Sequence, residues 1–175
     1  MRIAITGSTK GIGRALCDHF DQQGHEVLAF SRSQGYDISS SDHRQRIVAA
    51  SMDCDVFINN AYCEKHNAQL ELLKAVYHAW LGKDRRIINI SSRITDWAPD
   101  PRETSIQYYD DKSQQDQFCM GKRRCPQIIN LRPGMTDTER VQHVVRDKMR
   151  TDHVVDIVEF ALASPVRISS ITFGL

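Results

Sequence analysis

Residues 108–112 read YYDDK. A tyrosine and a lysine four positions apart share one face of a helix, so the phenol of Tyr108 and the ammonium of Lys112 would stand side by side. Such a pair can move a proton. A free phenol titrates near pKa ~10 and is a poor base at neutral pH. A neighbouring ammonium favours phenolate and draws the pKa toward working range. Tyr109 falls in line with Ser113 instead, so Tyr108 is the candidate, and Asp110 and Asp111 are expected to face water. The competing reading is a solvated stretch of helix, since chance alone yields a Tyr-x-x-x-Lys roughly 0.2 times in a chain of this composition. Sixteen residues upstream, Ser92 closes the apolar run INISS (88–92). Its hydroxyl could hydrogen-bond a substrate oxygen and stabilise developing charge; its plain alternative is a strand-end serine bonded to backbone.

Elements must exist to hold these groups. Short aliphatic runs recur at Ile3–Thr6, Val27–Phe30, Val56–Asn59, Ile87–Ile90, Ile128–Leu131 and Ile168–Phe173. Their shortness and lack of charge suit strands buried on both faces. Helical patterns alternate with them. The first carries Ile12, Ala15, Leu16, His19 and Phe20 and stops at Gly24. The second follows Ser41. The third spans about 64–81 with Leu70, Leu73, Val76, Tyr77 and Trp80 on its apolar side. A fourth is expected over 105–121, a fifth over 138–148, and a sixth after a Thr151 N-cap. Strand–helix alternation predicts one α/β domain, residues 1–175, with a doubly wound, Rossmann-type parallel sheet of about six full strands and helices on both faces.

Composition narrows the partners. The 175 residues are 41% hydrophobic and 26% charged, ordinary for a globular domain with a real core, and the net charge is +1. That balance offers no electrostatic ground for nucleic acid or an anionic membrane as partner. No apolar run approaches the ~20 residues of a membrane span, and the first residues enter a structured motif, so a cytoplasmic location is expected. The five cysteines are odd in number and lack C-x-x-C spacing, which suits reduced, packed thiols. The seven histidines show no metal-binding spacing, so no metal is expected.

The first strand runs directly into TGSTKGIGR, residues 6–14. Gly7 would permit a tight turn, and Gly11 and Gly13 a close approach of backbone and helix start to a bound group. Free N–H groups at the positive end of a helix dipole suit a pyrophosphate. A bare tight turn is the alternative, and the loop's place between strand and helix favours the ligand.

The loop resembles that of the short-chain dehydrogenase/reductase family, T-G-x-x-x-G-I-G, at Thr6, Gly7, Gly11, Ile12 and Gly13. Four more family-like motifs follow in order. NNAY (59–62) resembles N-N-A-G, with Tyr62 in place of glycine. INISS resembles the strand ending in the catalytic serine, with Thr95 where glycine is usual. Tyr-x-x-x-Lys follows, then RPGMTDT (132–138), similar to P-G-x-x-x-T.

The resemblance implies a Ser92, Tyr108, Lys112 site for hydride chemistry, in which the nicotinamide carries the hydride and the protein handles the proton. It implies that the loop residues Gly7, Thr9, Lys10, Gly11, Ile12 and Gly13 hold the cofactor, with Asn60 and Ala61 on the adenosine side. Pro133, Gly134 and Thr138 would serve the nicotinamide end and phosphates, and Lys112 the nicotinamide ribose. Many relatives add an asparagine on the preceding helix. Asn67 is the nearest candidate, about two residues off the usual offset, with a plain helix-face residue as its alternative.

After the second strand, relatives that use NAD place an acid; here Arg32 stands, with Lys10 in the glycine loop. Two cations suit a 2′-phosphate, so NADP(H) is expected in preference to NAD(H). Asp37 resembles the adenine-contacting acid. Only Ser33–Tyr36 separate it from the second strand, too few for a parallel crossover, so the family's third strand should be a stub or absent. Residues 93–106, with Trp97 and two prolines, could form a lid or specificity loop, with ordinary loop as the alternative. The expected activity is reduction of a small carbonyl compound or oxidation of the corresponding alcohol. The alternative is a dinucleotide-binding or sensor module of the same fold without turnover; nucleotide-sugar modification is disfavoured by the lack of a second domain. Homodimerisation through the helices around 64–81 and 105–121 is also expected, using Leu70, Leu73, Tyr77 and Trp80.

Overall fold

The computed structural model describes residues 1–65, 67–97, 105–122 and 124–175. Within these residues, six strands form one all-parallel sheet: β1 (Arg2–Thr6), β2 (Glu26–Phe30), β3 (Val56–Asn59), β4 (Arg86–Ile90), β5 (Gln127–Pro133) and β6 (Ser170–Phe173), in spatial order β2-β1-β3-β4-β5-β6. The order reverses between β1 and β3, which opens a crevice at the strands' carboxyl ends. Among the described residues, five α-helices cover the sheet: α1 (Gly11–Gln22), α2 (Ser41–Ala50), α3 (Ala68–Ala79), α4 (Ile106–Cys119) and α5 (Thr151–Ala163).

Strand alternation sorts the core into two layers. Ile3, Ile5, Val56, Ile58, Ile88, Ile90, Ile129 and Leu131 pack against Leu16 and Phe20 of α1 and Val155 and Val158 of α5. Ala4, Phe57, Ile87 and Ile128 face the other way, onto α2, α3 and the end of α4. Because both faces are covered, the central strands are mostly aliphatic, broken inside the sheet by the buried Asn59, Asn89 and Asn130. The expected stub is borne out. After β2 the chain makes only a 3-10 turn, Arg32–Gln34, before α2, leaving β2 at the sheet edge.

Three expectations are corrected. Residues 138–148 are not an α-helix; only Glu139–Val141 form a 3-10 turn. Val141, Val144 and Val145 have poor helix propensity, and Val145 is fully exposed, so no apolar face rewards a helix there. The segment is tied at both ends instead, by Asp137 N–H to Met149 O (2.7 Å) and Met149 N–H to Met135 O (2.8 Å). The third helix begins only at Ala68, after Asn67 takes a left-handed φ of 44°. Its Leu70, Leu73, Tyr77 and Trp80 are all buried within the chain's own core and offer nothing to a second copy; Glu71, Lys74 and His78 form the outer side. Half of the expected lid, residues 98–104, lies outside the described residues. No helix among the described residues is long and apolar enough to cross a membrane.

Candidate active site

The crevice is built from the carboxyl ends of β1, β3, β4 and β5. At β1 the chain turns through Gly7, whose φ of 72° suits glycine. A Cβ on Gly13 would sit 2.1 Å from the Gly7 carbonyl oxygen and 2.6 Å from Asn60 Nδ2, so loop, helix start and β3 end lock together only with glycine there. Asn60 completes the lock: its Nδ2 donates to Thr6 O at 3.0 Å, and the Asn60 and Ala61 N–H groups donate to Thr6 Oγ1, each at 3.0 Å. The N-cap of α1, Lys10, makes no side-chain cap, and the first turn carries no acid. The helix therefore presents its first N–H groups and dipole uncancelled, which fits a diphosphate. Thr9 is exposed on this loop, Gly11 and Ile12 half-buried at the helix start.

β2 meets that loop through Gly7 and Ser8, whose N–H groups both donate to Phe30 O (2.8 and 3.4 Å). Arg32 is exposed there. Gln34, which sequence reading passed over, gathers the hydroxyls of Ser8 (3.2 Å) and Ser31 (2.7 Å) on its Oε1. Lys10 pairs with Glu139 at 3.1 Å. Asp37 is spent in a turn before α2: its Oδ1 accepts from the Ser39 N–H at 2.9 Å, and that bond holds its carboxyl below the usual value. The Pro133–Gly134 bend, with Gly134 N–H donating to Phe173 O at 2.7 Å, sends the chain back across the crevice. Thr138 there reaches Gly11, its methyl 2.9 Å from where a glycine Cβ would be.

At the ends of β4 and α4 the structure brings Ser92, Tyr108 and Lys112 together. The Ser92 hydroxyl lies near enough to the Tyr108 phenol to favour its ionised form. Ser92 Oγ also accepts from the Ile94 N–H at 3.2 Å. Lys112 Nζ lies 5.6 Å from the Tyr108 ring centre. It donates to Gln69 Oε1 and to Ile90 O, each at 2.8 Å. Burial holds the Lys112 pKa down at about 7, helped by the charge of Arg140. Burial likewise pushes the Tyr108 phenol up, although Ser92 and Arg140 pull the other way. The ammonium therefore does not draw the phenol down in this state, and Tyr108 stays protonated at neutral pH.

Asn67 does not join this group. Its Nδ2 donates outward to Gln114 Oε1 at 3.2 Å. Gln69, one turn into the same region, stands in its place. It is buried, with Nε2 donating to Asn59 O (2.8 Å) and Ile90 O (3.0 Å) and Oε1 accepting from Lys112 and from Gln115 Nε2 (3.2 Å). Asp111 does not face water as expected. It is fully buried and accepts from Tyr62 Oη at 3.0 Å and Gln107 Nε2 at 2.7 Å, because α4 turns that face onto the loop after β3.

Behind the site runs a buried amide ladder. Asn59 Nδ2 donates to Asn89 Oδ1 (2.9 Å), Asn89 Nδ2 to Asn130 Oδ1 (2.8 Å), and Asn130 Nδ2 to Asp116 Oδ1 (2.7 Å). Asp116 also accepts from Ser91 (2.5 Å) and Thr95 (2.7 Å) and pairs with Arg132 at 3.2 Å. Thr95, where the resemblance has glycine, thus ties the loop after Ser92 to α4. The signal was legible: the three strands carry asparagine in one register, Asn59↔Asn89↔Asn130.

No protein of curated function matches the sequence. Similar solved structures include a short-chain dehydrogenase from Burkholderia cenocepacia J2315 in complex with NADP, 20% identical with a TM-score of 0.80 over 99% of this chain and 88% of that one. A 4-hydroxyisoleucine dehydrogenase complexed with NADH is 18% identical with a TM-score of 0.78, over 99% and 96%. An alcohol dehydrogenase from the archaeon Thermococcus sibiricus complexed with 5-hydroxy-NADP is 16% identical with a TM-score of 0.78, over 98% and 95%. At these identities the likeness is one of fold. Residues 3–93 match the model of the NAD dependent epimerase/dehydratase family. That stretch is more than half of the chain and carries the glycine loop, the Asn60 lock and Ser92, so the protein belongs to this NAD-dependent family, of short-chain dehydrogenase/reductase type.

Proposed function

We propose that the chain is an oxidoreductase using NADP(H) in preference to NAD(H), reducing a small aldehyde or ketone or oxidising the corresponding alcohol. The observation that carries this reading is the Tyr108–Ser92 hydroxyl pair beside a dinucleotide-type glycine loop, with Lys112 one helical turn behind. The cofactor, when bound, supplies or accepts the hydride. The glycine loop and the start of α1 would hold its diphosphate, and Lys10 and Arg32 its 2′-phosphate. Ser92 would orient the substrate oxygen. Tyr108, protonated because burial disfavours phenolate, would deliver a proton to that oxygen. A protonated phenol in the free chain suits the reductive direction. Lys112 and Gln69 fix the polar floor under Tyr108.

A second reading, a binding module without turnover, draws on the sequestration of Lys112, which is only 3% exposed. An NADPH-oxidation screen over small aldehydes, ketones and quinones separates the two. The enzyme reading expects turnover with at least one compound, abolished in Tyr108→Phe with cofactor affinity nearly intact. A fully active Tyr108→Phe, or no turnover across the panel, overturns it.

A further inference from the structure

Tyr62 stands where the resemblance has glycine, and the chemistry above leaves it without a role. Its backbone is pinned at the glycine loop, because the preceding Ala61 N–H is bound to Thr6 Oγ1 at 3.0 Å. Its ring nevertheless reaches the phenol, packing edge-on to Tyr108 with centres 4.9 Å apart at 87°. Its hydroxyl is anchored on the buried carboxylate of Asp111, and Lys112 Nζ lies 5.3 Å from its ring centre. The Arg140 guanidinium covers the same pair of rings, 4.5 Å from the centre of Tyr62 and 4.9 Å from that of Tyr108, and pairs with Glu64 at 3.9 Å. Three successive residues thus strap the crevice: Thr138 on Gly11, Glu139 on Lys10, Arg140 on the rings.

A ligand whose diphosphate rests on the glycine loop and whose far end reaches Tyr108 must run past Tyr62. In this structure a cationic plane already occupies the ring faces it would meet. The loop end is covered more lightly, by the Thr138 side chain against Gly11 and by the exposed Lys10–Glu139 pair, which salt and a competing anion weaken.

We propose that Tyr62 and Arg140 form a stopper at the phenol end of the crevice, so that the free chain binds the adenosine-diphosphate-ribose half of a dinucleotide and admits the nicotinamide end only when the Tyr62 ring leaves Tyr108. This rests on the dinucleotide reading above. It makes ADP-ribose and its 2′-phosphate ligands in their own right, and it makes Tyr62 the residue that decides how much the nicotinamide end adds to affinity.

The test is calorimetric titration of the whole chain with NADP⁺ and with 2′-phospho-ADP-ribose, the same molecule without nicotinamide. In the wild-type chain the two bind within about threefold of each other. Tyr62→Gly tightens NADP⁺ about tenfold and leaves the truncated ligand unchanged. Arg140→Ala, which removes the cap without touching the fixed backbone at 62, moves the ratio the same way and serves where Tyr62→Gly folds poorly. NADP⁺ binding ~tenfold or more tighter than the truncated ligand in the wild type, or a ratio unmoved by either variant, overturns the stopper and leaves the dinucleotide reading standing. Failure of both ligands to bind the folded chain overturns both.

Discussion

Gln69 Oε1 accepts a hydrogen bond from Lys112 Nζ at 2.8 Å, and both side chains donate to the same acceptor, Ile90 O. One amide therefore joins the first turn of α3, the end of β4 and the middle of α4. It gives an acceptor to an ammonium that burial and the charge of Arg140 hold weakly to its proton.

Gln69→Leu keeps the volume and removes every polar contact of the amide. Lys112 then retains one acceptor, and the Asn59 carbonyl and the Gln115 amide each lose a partner in the interior. A buried polar group left unsatisfied costs about 1–3 kcal/mol. We expect urea unfolding at pH 7.5 to show a destabilisation of roughly that size, with the m-value unchanged. A loss within experimental scatter would mean that water replaces the amide and that the junction is not dry.

Lys112 makes stability depend on pH. Its folded pKa of about 7 lies well below the ordinary lysine value near ~10.4. Between these values the unfolded chain binds a proton the folded chain does not, so stability rises with pH. The penalty is largest below pH ~7 and fades toward the unfolded pKa. The buried thiols Cys17 and Cys119, pushed up to about 11 and about 12 by burial, act in the opposite sense above pH ~9, where unfolded thiols ionise. The groups facing Lys112 are Arg140, Asp116, Asp111, Tyr62 and Tyr108. Chemical unfolding from pH 6.5 to 8.5 should show stability climbing in the wild type and a markedly flatter profile in Lys112→Met. Parallel profiles would assign the dependence to another group.

Much of this architecture was legible because burial leaves a one-dimensional trace. Short aliphatic runs free of charge marked the strands, and Gly7, Gly11 and Gly13 marked a turn that tolerates no side chain. The four residues Ser33–Tyr36 were too few for a crossover, and none formed. What failed were judgements about which surface a residue meets. Apolar spacing shows that Leu70 and Trp80 are buried, but not that the chain's own sheet does the burying. Asp111 looks solvated beside Asp110 until Tyr62 is seen arriving from the loop after β3, 49 residues away. Gln69 escaped notice because an amide next to an apolar helix face reads as surface; only the facing Lys112 turns it into a buried partner. Residues 138–148 have a helix-like length, but Val145 is fully exposed and no apolar face rewards a helix; Met149 pairs back to Met135 instead.

The glycine lock yields a stability prediction independent of any ligand. A Cβ at position 13 would fall 2.1 Å from a backbone oxygen, which no rotamer change relieves. Gly13→Ala must push α1 off the β1 turn and strain the Asn60 bonds to Thr6. Overpacking of this kind typically costs ~1–3 kcal/mol, occasionally more. Gly24→Ala is the comparison, since nothing lies within 4 Å of a Cβ there and only its φ of 74° opposes the change. We expect Gly13→Ala to lower the urea midpoint more than Gly24→Ala does. The reverse order would mean that the loop and α1 are free to separate.

On the proposed dinucleotide reading, cofactor choice would follow from Lys10 and Arg32 beside the glycine loop. Lys10 is engaged by Glu139 at 3.1 Å, but both side chains are more than half exposed, so the pair is weak and readily exchanged. A 2′-phosphate carries more charge than the Glu139 carboxylate and offers more acceptor oxygens. NADPH should therefore bind at least ~tenfold tighter than NADH. Arg32→Ala and Lys10→Ala should each weaken NADPH and leave NADH nearly unchanged. Glu139→Gln should act in the opposite direction, tightening NADPH a fewfold by releasing Lys10, with the gain shrinking as salt is raised because exposed charges are screened over ~10 Å at 0.1 M. Fluorescence titration of the two reduced dinucleotides into the four proteins measures all of this. Equal affinities for NADPH and NADH in the wild type would remove Arg32 and Lys10 from the recognition of the ribose, and an unchanged Glu139→Gln would show that Lys10 is already free to bind.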